Sequence, residues 1–133
     1  MRKFFIIFLL SSLVFASCKK PETTPNNGIY HGLLYRIGNN GDTVGGGVVD
    51  FALFEANSAF SMAADSVSHT PAQHNGDFTI QSSSLISFTN KSPVTYHPDG
   101  YLDTVFNYTF DNVNFHLWVQ KPDVLLDYKL VRK

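Results

Sequence analysis

The sequence predicts an all-β domain, a single antiparallel up-and-down β-barrel of about eight strands behind an N-terminal leader. Three observations carry this expectation. From Gly28 onward no window sustains apolar residues at helical spacing. β-Branched and aromatic runs recur roughly every ten to fifteen residues, between clusters of Gly, Asn, Asp, Ser and Pro. Most connections are hairpin-short, which favours antiparallel pairing of neighbours, and closing such a series into a ring removes both exposed edges. A β-sandwich is the alternative, because two longer loops, Asp65 to Gly76 and Asn90 to Gly100, leave room for a connection that crosses between sheets.

The first run is Ile29 to Ile37, closed by Gly38-Asn39-Asn40-Gly41-Asp42, in which Asn-Gly is a strong hairpin signal. Thr43 to Phe54 is the second, with Gly45-Gly46-Gly47 near its start reading as a bulge or a strongly bent strand. A ligand backbone approaching these glycines is the sharper alternative. Glu55 to Ser58 turns the chain into Ala59 to Ala64, where Phe60, Met62 and Ala64 alternate with smaller residues. Asp77 to Gln81 and Leu85 to Thr89 form the fourth and fifth runs. Tyr101 to Asp111 is the clearest half-buried strand, with Leu102, Phe106, Tyr108 and Phe110 on one parity. Phe115 to Gln120 and Leu125 to Arg132 complete the series.

Composition bounds the function. The chain has 133 residues, 44% hydrophobic and 16% charged, with ten basic and eleven acidic side chains, which describes one domain and not a disordered segment. A pI near 6.5 supplies no basic field for nucleic acid. Met1-Arg2-Lys3 followed by Phe4 to Leu10 and Leu13 to Ala16 has signal-peptide anatomy, and the apolar stretch falls short of the about 20 residues that a bilayer-spanning helix needs. The expected organisation is therefore a signal peptide over residues 1–17, a tether over 18–27 and a β-barrel domain over 28–133. Without Arg2 and Lys3 the remainder carries eight basic and eleven acidic residues, a net of −3 before His.

Phe15-Ala16-Ser17-Cys18 resembles the bacterial lipobox, in which small residues precede a cysteine that is lipidated and becomes the mature N-terminus. Cys18 is the sole cysteine, so no internal disulfide competes for it. An ordinary secretory signal cut near Ser17 is the alternative. The resemblance implies a lipid anchor, palmitate included, and Lys19 in place of an inner-membrane retention Asp implies the outer membrane. Pro21 to Asn27 has no apolar residue and reads as a semi-extended spacer.

Gly28-Ile29-Tyr30, the run Gly76-Asp77-Phe78-Thr79-Ile80 followed by Leu85-Ile86-Ser87-Phe88, and the closing Asp127-Tyr128-Lys129-Leu130-Val131-Arg132 resemble the small lipocalin-like lipoproteins of the calycin type. Lipocalins carry Gly-x-Trp in the first strand, with the Trp packed on an Arg near the last. Here Tyr30 holds the Trp position, Arg132 is the candidate partner, and Trp118 lies in the seventh run.

Side-chain chemistry then narrows the candidates. His69 and His74 share a loop with Asp65 and Asp77 beside them, a partial ligand set that lacks a third His or Cys, so both read as solvated loop residues and no metal is expected. His97 belongs to a turn. His31 and His116 fall inside strands, each a candidate for a cavity wall. No Gly-x-Ser-x-Gly elbow, His-Glu-x-x-His or phosphate loop is present, and Asp103 and Asp111, eight apart on one run, are too distant for a carboxylate pair, so no catalytic residue or cofactor is expected.

Aromatic side chains are the informative group. An eight-stranded barrel is just wide enough to be filled by its own side chains or to keep room for one small ligand. A ligand cavity would be lined by Tyr30, Tyr35, Phe106, Tyr108, Trp118 and Tyr128, giving an apolar pocket with a few polar tips. Two functions follow: an outer-membrane-tethered, non-enzymatic barrel for a small hydrophobic or amphipathic ligand, or a filled accessory module that presents loops or a face to another envelope protein. An envelope hydrolase is the distant third.

Overall fold

In the computed structural model, residues 24–64, 72–95 and 100–133 are described, and they form a closed antiparallel barrel in which each strand pairs with its neighbours in the order β1 to β8. The strands are β1 (Gly28–Gly38), β2 (Thr43–Phe54), β3 (Ala59–Ala64), β4 (His74–Ile80), β5 (Leu85–Asn90), β6 (Val105–Phe110), β7 (Asn114–Gln120) and β8 (Val124–Arg132). One short 3-10 turn, Glu55–Asn57, joins β2 to β3. The ring closes by β1 against β8, with Tyr30 opposite Arg132 and Gly38 opposite Val124. The barrel is compatible with a lipocalin-like fold, and the sandwich alternative is excluded by that closure.

Alternation sorts the side chains. Tyr30, Leu34, Phe51, Leu53, Phe106, Tyr108, Phe115, Leu117, Tyr128 and Leu130 all point inward and are buried. The up-and-down topology gives the barrel two unlike ends. At one end lie the short β2–β3, β4–β5 and β6–β7 connections together with the start of β1 and the finish of β8. The other end carries the long connections, between β3 and β4 and between β5 and β6.

Two strands start three or more residues away from the sequence expectation. β4 begins at His74 rather than Asp77, because His74 and Gly76 continue the inward parity of Phe78. The polar letters of this stretch mimic a loop, yet the pairing of Phe60 with Gly76 and Met62 with His74 is regular. β6 begins at Val105 rather than Tyr101. Tyr101 and Leu102 are buried in the connection itself, and Asp103 accepts the Asn90 backbone N–H at 3.0 Å, so apolar alternation there marks a plug and not a paired strand.

Residues 24–27, just before β1, are held against the barrel. Pro25 is buried, the Asn27 carbonyl accepts from the Arg132 guanidinium, and Asn26 shares a hollow with Glu55, Ser58, Phe78, Thr79 and Ile80. Residues 24–27 therefore run across the short-turn end.

The glycine triplet marks an irregularity in β1–β2 pairing: Arg36 opposes Gly45 while Ile37 opposes Thr43, which leaves Val44 unpaired. The approaching backbone is the chain's own. A Cβ on Gly46, whose φ is +149°, would stand 2.1 Å from the Leu34 carbonyl oxygen. Gly32 is confined differently, at an ordinary φ, since a Cβ there would lie 1.9 Å from the Lys129 carbonyl oxygen on β8. Both Gly32→Ala and Gly46→Ala should lower stability by about 2 kcal/mol or more. Urea unfolding of the two variants measures this, and midpoints equal to that of the parent would contradict the close backbone approaches at these glycines.

Candidate functional site

The interior is occupied by rings. Tyr30 and Phe115 approach to 5.1 Å between centroids, Phe115 and Phe51 to 6.0 Å, Phe51 and Phe88 to 5.9 Å, Phe88 and Phe106 to 5.7 Å, and Phe106 and Tyr128 to 6.0 Å. These centroid distances fall in the range of favourable tilted and edge-to-face packing, and the chain of contacts runs across the bore. Phe106, Tyr108 and Tyr128 are at most 1% exposed, and Phe110 is packed against the same cluster. Tyr108 points toward the short-turn end, where its hydroxyl donates to the Ser82 carbonyl at 2.9 Å, and burial raises its pKa above the ordinary phenol value.

Of the six residues expected to line a ligand cavity, the fold gathers four. Tyr30, Phe106, Tyr108 and Tyr128 face inward as members of the packed core. Tyr35 and Trp118 have the opposite parity and stand on the outer face, one on each side of Asp127 in the register across β1, β8 and β7. No single pocket joins all six. Cys18 lies outside the described residues, as do His69, His97 and Asp65.

The strand histidines also face outward, which corrects the expectation that either lines a cavity. His31 Nδ1 lies 2.9 Å from an Asp50 carboxylate oxygen, and Lys133 Nζ lies 2.8 Å from that same oxygen. These two contacts hold the Asp50 carboxyl below its ordinary value. The exposed trio is solvated, so it contributes little to stability. His116 bonds through Nε2 to Asp127 and lies tilted against Trp118 at 4.7 Å. The Lys129 ammonium stands 3.8 Å from the second Asp127 oxygen and 5.4 Å over the Tyr35 ring. Beside this cluster lies an outer hollow of about 280 Å³ over β7 and β8, bounded by Asn114, His116, Lys129 and Val131.

The remaining described histidine is not a solvated loop residue, a second correction. His74 is 3% exposed and sits in β4. Its Nδ1–H donates to the Ala72 carbonyl, and its Nε2 accepts the Leu102 backbone N–H at 2.8 Å. Phe60 and Tyr101 meet the ring edge-on. Burial lowers its pKa, while the Ala72 carbonyl and, more weakly, the Asp103 charge pull the other way. With both nitrogens engaged by backbone, His74 has no free position for a metal, and no three His, Cys, Asp or Glu gather among the described residues.

Asp103 and Asp111 do not share a strand: they flank β6 at its opposite ends. Asp111 staples the β6–β7 turn, accepting from the Asn114 side-chain amide and from the Val113 and Asn114 backbone N–H groups, which lowers its carboxyl pKa. Arg132 lies beside Tyr30 at the short-turn end and 5.9 Å over the Phe110 ring. The sequence-level pairing of Tyr30 with Arg132 thus has its counterpart in the register.

Compared with known proteins, the chain matches no family model, no curated protein and no solved structure.

Phe115 joins Tyr30, Phe51, Tyr108 and Phe110. Its truncation in Phe115→Ala should cost about 3 to 5 kcal/mol, the range for emptying a packed aromatic position. Chemical denaturation reads the loss. A loss of about 1 kcal/mol or less would mean that the bore is loosely filled and can collapse.

Proposed function

We propose that this chain is a non-enzymatic envelope lipoprotein, anchored through Cys18 in the outer membrane, whose filled barrel is an accessory module for another envelope protein. The observation that supports this most is the interior itself: Phe106, Tyr108 and Tyr128 occupy the volume that a carried ligand would need. An activity must then reside on the ends or the outer face.

Anchoring at Cys18 would also orient the domain. Six peptide steps separate Cys18 from Thr24, a span of at most about 20 Å, and residues 24–27 lie across the short-turn end. That end would sit close to the lipid, while the long connections, including the exposed Val94, would project away from it. Two acyl chains or more on one cysteine meet the requirement for stable anchoring. Among the described residues no helix is long and apolar enough to cross a membrane.

A second reading has one observation in its favour. The outer hollow beside His116 and Lys129 is lined mostly by apolar atoms, and an apolar floor with a cationic edge suits a small amphipathic anion. Such a ligand would bind outside the barrel, not in a lipocalin-like interior.

Labelled palmitate should enter the wild-type chain and not Cys18→Ala, and label in neither would end the anchor proposal. A photo-crosslinker at Val94 should form a discrete adduct with an envelope protein, whereas one at Val113, on the short-turn end, should not. Adducts at neither position, with the label in place, would leave the anchor and overturn the accessory role.

A further inference from the structure

His74 occupies a position that the proposed anchoring does not use. It stands at the long-connection end, where the segment entering β4 meets the segment entering β6. Hydrogen bonds join these segments: Ala72 N–H donates to the Gly100 carbonyl at 2.9 Å, and Leu102 N–H donates to His74 Nε2 at 2.8 Å. The imidazole thus takes the place that a backbone carbonyl would hold in an ordinary ladder. Leu102 is fully buried and belongs to the core cluster although it lies outside every strand. Its side chain therefore acts as a stopper on the ring-filled bore, and its main chain is pinned by a histidine.

We propose that His74 is a proton-operated latch: protonation of its Nε2 releases the Leu102 main chain and opens the long-connection end of the barrel. The chemistry is a single proton transfer from water. Nε2 is the sole lone-pair acceptor of a ring whose Nδ1–H is already donated to Ala72, so a proton at Nε2 places two N–H groups head to head and breaks the bond to Leu102. An unpaired buried N–H is costly, which drives Leu102 to seek water.

The surroundings keep the ring neutral at rest. β3 contributes Phe60, edge-on at 5.5 Å, and Met62 in register, neither of which carries charge. From the β6 side come Tyr101, edge-on at 5.2 Å, and Asp103, the one charge among the described residues that favours the imidazolium. Tyr101 is itself held, because its hydroxyl accepts the Thr95 N–H at 2.9 Å. Burial outweighs Asp103, so the folded protein binds the proton only below the ordinary value of 6.5, at which the unfolded chain takes it up. The latch therefore contributes fully above pH 6.5, and its contribution is lost as pH falls from there toward the folded value. Release is local because β4 remains paired with β3 and β5 through its own backbone.

Amide hydrogen exchange on the intact chain tests this, with Leu102 compared against Leu117 in the middle of β7 after correction for the intrinsic pH dependence. Leu102 protection should fall as pH drops below 6.5, by at most about tenfold per pH unit, while Leu117 stays unchanged. In His74→Gln, whose amide can bridge the same two backbone groups without titrating, Leu102 protection should not depend on pH. Leu102 and Leu117 losing protection together would show general acid unfolding and overturn the proposal. So would a pH-independent Leu102 in the wild type, or an unaltered pH response in His74→Gln. Should His74→Gln fail to fold, the wild-type comparison of the two amides decides alone.

Discussion

Closure of β1 on β8 is the constraint on which the rest depends. A ring of eight strands has no unpaired edge, and its bore admits about as much side chain as the inward positions supply. Once Tyr30 is set opposite Arg132 and Leu34 opposite Tyr128, the inward residues of all strands are forced into one another. Three buried Tyr and several Phe then fill the space that a ligand would otherwise take. The bulge at Val44 and the glycines at 32 and 46 follow from the same need, since they let neighbouring backbones approach where a Cβ would stand in the way.

A filled bore moves function outward, and the two ends are not equivalent. Short turns, Arg132 and the residues before β1 finish one end, whereas the other end depends on Leu102 and on a neutral imidazole. Three hydrogen bonds of the long connections run through side chains, beside backbone bonds such as Ala72 to Gly100: Ser92 to the Asn75 N–H, Asp103 to the Asn90 N–H, Tyr101 to the Thr95 N–H. Such links are individually modest, and those to Asn75 and Asn90 are exposed, so this end belongs to the low-stability part of the molecule. An accessory role at the long-connection end and a titratable pin beneath it are thus consistent with each other.

Much of this was legible in the sequence because period-two alternation reports burial directly. β2 and β3 have their expected bounds, β1 is longer by one residue at each end, and β5, β7 and β8 differ by one residue at one end. What alternation missed is instructive. Chemical type groups Tyr35 and Trp118 with the inward aromatics, although their parity against Leu34 and Leu117 places them outside. The polar residues around His74 mimic a loop. Extending the parity of Phe78 and Ile80 back through Gly76 would have turned it inward. Tyr101 and Leu102 erred the other way, since their apolar pattern came from plugging the barrel. The packing of Pro25 had no sequence signal, because it depends on which turns happen to meet at the short-turn end.

The central claim is that the barrel interior is solid, and xenon is the most direct probe of it, because dry apolar voids take up xenon whatever their natural ligand. A crystal of the protein under xenon pressure should show no xenon among Phe51, Phe106, Phe115 and Tyr128. A well-occupied xenon site enclosed by those rings would contradict the account and return ligand carriage to the inside of the barrel.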